Sequence, residues 1–144
     1  MPERLLITGI TGMVGSHLAD YVLANTSVEI VGMCRWRSPL ENVEHLLERA
    51  NKSDRIRFET GDLNDAFSLE KIFKKYKFDY VSHLAAQSFP KTSFDSPVDT
   101  YNTNIIGTTN LLEVIKNSSS SPKIHVCSSS EVFGRVSKEM VPIN

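Results

Sequence analysis

The most constraining feature of the chain is Thr8-Gly9-Ile10-Thr11-Gly12-Met13-Val14-Gly15, three glycines at fixed spacing between an apolar run and a helical pattern. Leu5-Leu6-Ile7 before it suits a strand buried on both faces. Val14, Leu18, Tyr21 and Val22 after it share one face at helical spacing, and that pattern ends near Asn25. In such a junction Gly9 permits a tight turn, Gly12 lets the backbone approach a pyrophosphate, and Gly15 allows helix and strand to pack closely. The helix start, at Met13 and Val14, adds unpaired amides and the positive end of a dipole. The segment reads as a dinucleotide cradle, with a ligand-free glycine turn as its plain alternative.

The rest of the chain repeats the strand and helix alternation. Val28 to Cys34 is a second strand. Ser38-Pro39-Leu40-Glu41 predicts a capped helix start, with Pro39 in the first turn and Glu41 closing a capping box, and Val43, Leu46, Leu47 and Ala50 as its buried stripe. Ile56 to Thr60 alternates as a third strand. Leu69, Ile72, Phe73 and Tyr76 mark a third helix, and Tyr80 to Ala85 a fourth strand. Ser96-Pro97-Val98-Asp99 predicts the start of a long helix with Tyr101, Ile105, Leu112 and Ile115 on its apolar face. The serine run before Pro122 is a tight loop into a fifth strand at Ile124 to Cys127. Five strands alternating with helices specify an α/β domain over residues 1–144, with a three-layer parallel sheet in the order 3-2-1-4-5. About 16 residues follow the fifth strand, too few for another crossover unit, so the expected sheet is truncated there.

Charge excludes some partners. Lys and Arg number 16 against 17 Asp and Glu, for a net charge of -1, which gives no pull toward nucleic acid or an anionic membrane. With no long apolar span and no leader pattern after Met1, the expected compartment is the cytoplasm. Cys34 and Cys127 read as buried thiols. His17, His45, His83 and His125 lack ligand spacing, so no metal is expected.

Ligands of open parallel sheets lie outside the carboxyl ends of the strands. A site selective for NAD carries an acid at the end of the second strand, about 20 residues past the glycines. Here that place holds Cys34-Arg35-Trp36-Arg37-Ser38. Guanidinium groups at Arg35 and Arg37 would pair with a 2′-phosphate and select NADP, unless both are solvated surface charges. Asp62 can accept from an adenine amino group while Leu63 packs on the base; otherwise Asp62 only turns the chain. Leu84-Ala85-Ala86-Gln87-Ser88 lets a cofactor lie near the backbone, or packs as plain strand. After strand five, Ser129 and Glu131 offer a hydroxyl and a base, or a polar turn.

Together these segments resemble the extended short-chain dehydrogenase/reductase family, with its Rossmann-like fold, and within it the nucleotide-sugar 4,6-dehydratases of the GDP-mannose type. The resemblance runs through Gly9-x-x-Gly12-x-x-Gly15, Gly61-Asp62-Leu63, His83 to Ser88, Asn104-Ile105-Ile106-Gly107-Thr108 and Ser128 to Gly134. It implies that NADP takes hydride from sugar C4, that Glu131 removes the C5 proton, that water leaves C6, and that the hydride returns to C6. Ser129 would bond the C4 oxygen. Family members also use a Tyr-x-x-x-Lys pair, and none of Tyr21, Tyr76, Tyr80 and Tyr101 has lysine four residues on. The chain is therefore expected to be the N-terminal, NADP-binding part of a larger homo-oligomeric enzyme, without its substrate domain and inactive as it stands. A related GDP-4-keto-6-deoxymannose reductase, another epimerase or reductase, and a non-catalytic NADP sensor are the rival readings.

Overall fold

A computed structural model describes residues 2–52 and 55–141. Met1 and Asn144, the ends of the expected domain, lie outside them. The sheet contains β1 (Arg4–Thr8), β2 (Glu29–Cys34), β3 (Ile56–Thr60), β4 (Tyr80–His83) and β5 (Lys123–Val126), all parallel, in the order β3-β2-β1-β4-β5. That is the expected order. The helices are α1 (Met13–Asn25), α2 (Glu44–Asn51), α3 (Ala66–Lys75), α4 (Pro90–Asp95), α5 (Pro97–Tyr101) and α6 (Gly107–Asn117).

Strand β1 is central, and its side chains serve both faces. Leu6 meets Val31 and Val81 across the register and joins Leu69, Phe73, Leu111 and Ile115 under α3 and α6. Leu5 and Ile7 join Ala19, Leu23, Ile30, Leu46 and Ile56 under α1 and α2. Each fully buried Leu or Ile contributes about 1.5–3 kcal/mol of transfer free energy, so β1 is the fold's anchor. Among the described residues, no buried side-chain nitrogen or oxygen lacks a hydrogen-bond partner, and no helix is long and apolar enough to cross a membrane.

Helix phases depart from the sequence expectation in two places. In α1 the buried face is Gly15, Ser16, Ala19, Val22 and Leu23, while Val14 and Tyr21 are exposed. Small residues let this helix approach the sheet: a Cβ on Gly15 would stand 2.8 Å from the Ile10 Cα. Val14 and Leu18 instead border an apolar groove of about 580 Å³ with Tyr80 and Ile124. The expected long helix is broken into α5, a π turn at Asn102–Ile106, and α6. The wider turn rotates the face, so Leu111, Val114 and Ile115 are buried while Tyr101, Ile105 and Leu112 are exposed.

Three further expectations change. Ser38 does not cap α2: its hydroxyl accepts the Arg35 N–H at 3.2 Å, and a 3₁₀ turn at Glu41–Val43 precedes the helix. Strand β4 stops at His83, because Leu84 and Ala85 turn their N–H groups onto the Thr8 hydroxyl. Cys127 is exposed, not buried, beside an edge strand whose four residues are all exposed; Cys34 is half-buried.

Candidate functional site

At the carboxyl ends of β1, β2 and β4 lies a crevice of about 390 Å³. It begins where Gly9 takes φ +73° and its carbonyl accepts the Gly12 N–H at 3.0 Å. Any side chain at Gly9 would strike Ala85, whose nitrogen is 2.8 Å from the Cβ position. Asn42 steadies the loop by donating to the Thr11 carbonyl at 2.9 Å. Gly12 is the N-cap of α1 and offers no side chain to the first-turn amides, and no acid stands in that turn. Helix starts of this kind leave N–H groups for an anion.

The structure brings Gly9, Thr11, Gly12, Arg35, Asp62, Leu63 and the five residues Leu84, Ala85, Ala86, Gln87 and Ser88 to the walls of this crevice. Gly15 lies behind it, packed on Gly9 and Ile10. Met13 and Val14, the first residues of α1, are exposed and stand outside the lining. Arg35 and Arg37 are both exposed, but Arg35 alone lines the crevice, held in a turn closed by Ser38 N–H to the Arg35 carbonyl at 3.0 Å. Burial raises the pKa of the Cys34 thiol, which lines the wall as a neutral group.

Asp62 turns the chain, the plain alternative named for it, from a place on the crevice wall. Its Oδ1 accepts the Asn64 N–H at 3.0 Å in an Asx turn, and the residue still lines the crevice. The Gln87 side chain is spent locally. Nε2 donates to the Phe89 carbonyl, Ser93 and Thr100, and Oε1 accepts the Phe89 N–H. Its main chain forms part of the crevice wall.

Sequence reasoning quoted the segment that holds that main chain but gave its first residue no role. Asn104, in the π turn, accepts the Gln87 N–H at 2.7 Å and donates to the Gln87 carbonyl at 2.9 Å. A π turn in mid-helix is a frequent mark of a functional position, but nothing in the apolar period announced one. Phe89, Asp99 and Thr103 also reach the crevice from the β4-to-α6 connection.

Ser129 and Glu131 stand apart from this lining. Both are exposed, at the start of a 3₁₀ turn over Ser130–Phe133, where the Ser129 hydroxyl accepts the Glu131 N–H at 3.2 Å. Among the described residues, no group of three His, Cys, Asp or Glu side chains is gathered to hold a metal.

Residues 6–144 match the family model described as GDP-mannose 4,6 dehydratase. The chain is 36% identical to GDP-mannose 4,6 dehydratase of Drosophila melanogaster over 91% of its own length and 34% of the relative. It is equally 36% identical to dTDP-D-glucose 4,6-dehydratase of Dictyostelium discoideum, over 92% of the chain and 30% of the relative. Thus it spans about a third of the curated relatives it matches. Among solved structures, UDP-glucose 4-epimerase of Thermotoga maritima superposes with TM-score 0.78 at 28% identity, over 94% of this chain and 41% of that one. The epimerase of Bifidobacterium longum, solved with NAD+ and UDP, gives 0.74 at 28% identity, over 91% and 38%. A parallel sheet wound in this order, a glycine cradle at its first turn, and a match running from β1 onward agree on one origin: the chain belongs to the GDP-mannose 4,6 dehydratase family, among the nucleotide-sugar dehydratases and epimerases of short-chain dehydrogenase/reductase type.

Proposed function

We propose that this chain is the NADP-binding part of a longer nucleotide-sugar 4,6-dehydratase that converts GDP-mannose to GDP-4-keto-6-deoxymannose. The observation carrying this reading is the crevice itself, with an uncapped helix start at one end and Arg35, where NAD-selective sites carry an acid, at the other. The first-turn amides at Met13 to Gly15 suit a pyrophosphate, and Gly9 leaves room because no side chain separates the loop from Ala85. Arg35 suits a 2′-phosphate, which a guanidinium pairs through two charge-assisted bonds. Asp62 accepts from the adenine amino group and Leu63 packs on the ring.

When bound, the nicotinamide supplies a reversible hydride acceptor, so that oxidation at C4 and reduction at C6 leave it unchanged. In this reading Glu131 takes the C5 proton and Ser129 holds the C4 oxygen, roles carried by the family resemblance. A second reading, an NADP-dependent sensor, is favoured by one observation: Ser129 and Glu131 are exposed and outside the crevice lining.

Trp36, the single tryptophan, is 83% exposed beside Arg35, and its fluorescence is the expected reporter of binding. NADPH is expected to bind more tightly than NADH, and the R35A/R37A pair to erase that preference. Equal affinities in the unaltered chain would overturn the NADP assignment. For the reaction, the full-length gene product is incubated with GDP-mannose and NADP+. Loss of water from the sugar with no net NADPH formed supports the dehydratase; stoichiometric NADPH consumption on a 4-keto sugar nucleotide indicates the reductase, and binding without chemistry indicates the sensor.

A further inference from the structure

The crevice wall at 84–88 is held from behind by a buried polar chain that the reading above does not use. Thr8, the last residue of β1, is 0% exposed. Its Oγ1 accepts the N–H groups of Leu84 and Ala85, each at 3.2 Å. A hydroxyl oxygen has two acceptor positions and one hydrogen, so that hydrogen is left for His83 Nδ1, 2.8 Å away. Nδ1 therefore accepts, and the ring proton resides on Nε2. The other side of the ring agrees. Nε2 lies 3.0 Å from Thr108 Oγ1, whose own hydrogen goes to the Asn104 carbonyl at 2.8 Å. The donors thus run one way on each side of the ring, from Thr8 into His83 and from His83 through Thr108 to Asn104, which grips Gln87.

We propose that His83 is a positioning residue: its neutral Nε2–H form fixes the main chain that walls the crevice, and a second ring proton releases it. Protonated histidine is a donor at both nitrogens. Its new N–H would face an oxygen already accepting two amides, so Thr8 must let one go. Leu84 keeps a second acceptor in the Thr8 carbonyl at 3.3 Å, which makes Ala85 the amide released. Ala85 is also the residue against which Gly9 packs, so its release is felt in the glycine loop.

The groups facing the ring are uncharged: Thr8 from β1, Thr108 from α6, and Val126 beside it in β5. His125 of β5 sits against Ser82, on the opposite face of β4. Glu113 and Lys116 pair with each other further along α6. Burial accordingly lowers the pKa of His83 with no charged neighbour acting on it, and the neutral form persists through neutral pH.

The consequence for binding rests on the cofactor reading; the hydrogen-bond relay does not. Side-chain ¹⁵N NMR of the chain should show an unprotonated Nδ1. On acidification the ring should protonate below its ordinary value of about 6.5, and in the same step Ala85 amide exchange should rise about tenfold and NADPH affinity, read from Trp36, fall about tenfold. In H83N the side-chain oxygen stands where Nδ1 was and still accepts from Thr8, so the pH step should vanish. H83Q carries its donor to Thr108 but lacks that acceptor, and should bind weakly at every pH. An Nδ1–H tautomer, or a ring that titrates without change at Ala85, overturns the proposal, and this wild-type titration decides even if a variant does not fold. A coupled Ala85 step in a chain that binds no NADPH would uphold the relay and overturn the cofactor reading.

Discussion

Two turns at the carboxyl edge of the sheet are alike in composition and opposite in surroundings. Each follows a strand, each is rich in small polar residues, and each holds a glycine at positive φ, Gly9 at +73° and Gly134 at +63°. A side chain at Gly9 would collide with the main chain of Leu84 and Ala85; at Gly134 it would meet nothing within 4 Å. Thr8 is sealed by the amides of Leu84 and Ala85 just past β4, whereas Ser129 is exposed and its bonds go to its own turn, to Glu131 and Val132. The same local chemistry is a built site in one place and an open surface in the other. What separates them is packing: β1 is covered on both faces, and β5 has all four residues exposed.

The sharpest test of that contrast is a pair of identical substitutions. Gly9→Ala adds backbone overlap to an unfavourable φ, and should cost about 3–5 kcal/mol in urea unfolding. Gly134→Ala bears the φ strain alone in a segment free to relax, and should cost about 1 kcal/mol or less. Equal costs would mean the two turns are equally packed. The strands beneath offer a second pair. Leu6→Ala empties the central core and should destabilise by about 2–5 kcal/mol, while Ile124, 39% exposed, should lose under about 1 kcal/mol on the same change.

This contrast also sorts what the sequence made legible. The sheet order followed from the alternation of β-rich and helical periods, since handedness leaves few ways to wind such a chain. The glycine cradle followed from spacing at a junction. Helix phase did not, because α1 docks through Gly15, Ser16 and Ala19, where the helix comes close by having little side chain, and a pattern built on large residues points the other way. Nor did the π turn, whose single added residue per turn moves Ile105 out and Leu111 in. Ser38 looked like a cap and instead closes the Arg35 turn, a choice between two local bonds that only the neighbouring loop decides. In the candidate site, Thr8 and Asn104 stood in quoted segments, but that their side chains hold the main chain at 84–87 was not legible.

Acid should weaken the built region in two steps. Burial lowers the pKa of His83, so its neutral form is favoured in the folded chain. Stability from this group is complete above about pH 6.5 and falls as pH drops from there toward the lowered folded value, because the unfolded chain takes the proton first. The loss from Glu59 sets in at lower pH, where an unfolded carboxylate begins to take its proton. Its burial alone would raise its pKa, but bonds from Lys75 and Tyr76 outweigh that and hold it below the ordinary value. Its contribution is present above the usual carboxylate range and is lost as pH falls through the folded value. Urea midpoints against pH should show the first loss in wild type and not in H83N; a first loss of unchanged size in H83N would remove His83 as its cause.

The smallest expected difference is the most specific. Arg35 and Arg37 flank Trp36, both are exposed, and from sequence they were equal candidates for a 2′-phosphate. The structure puts Arg35 on the crevice lining and leaves Arg37 off it. A paired, charge-assisted bond contributes about 1.5–3 kcal/mol, while an exposed charge acting at a distance is screened and contributes under about 1 kcal/mol. R35A should therefore lower NADPH affinity about tenfold or more relative to NADH, and R37A by about threefold at most, with the R37A effect shrinking as salt is raised. If R37A costs as much as R35A and resists salt, then the turn at 35–38 rearranges on binding and its free form is not the binding form. If neither single change alters the preference, the crevice does not select the phosphate through this turn.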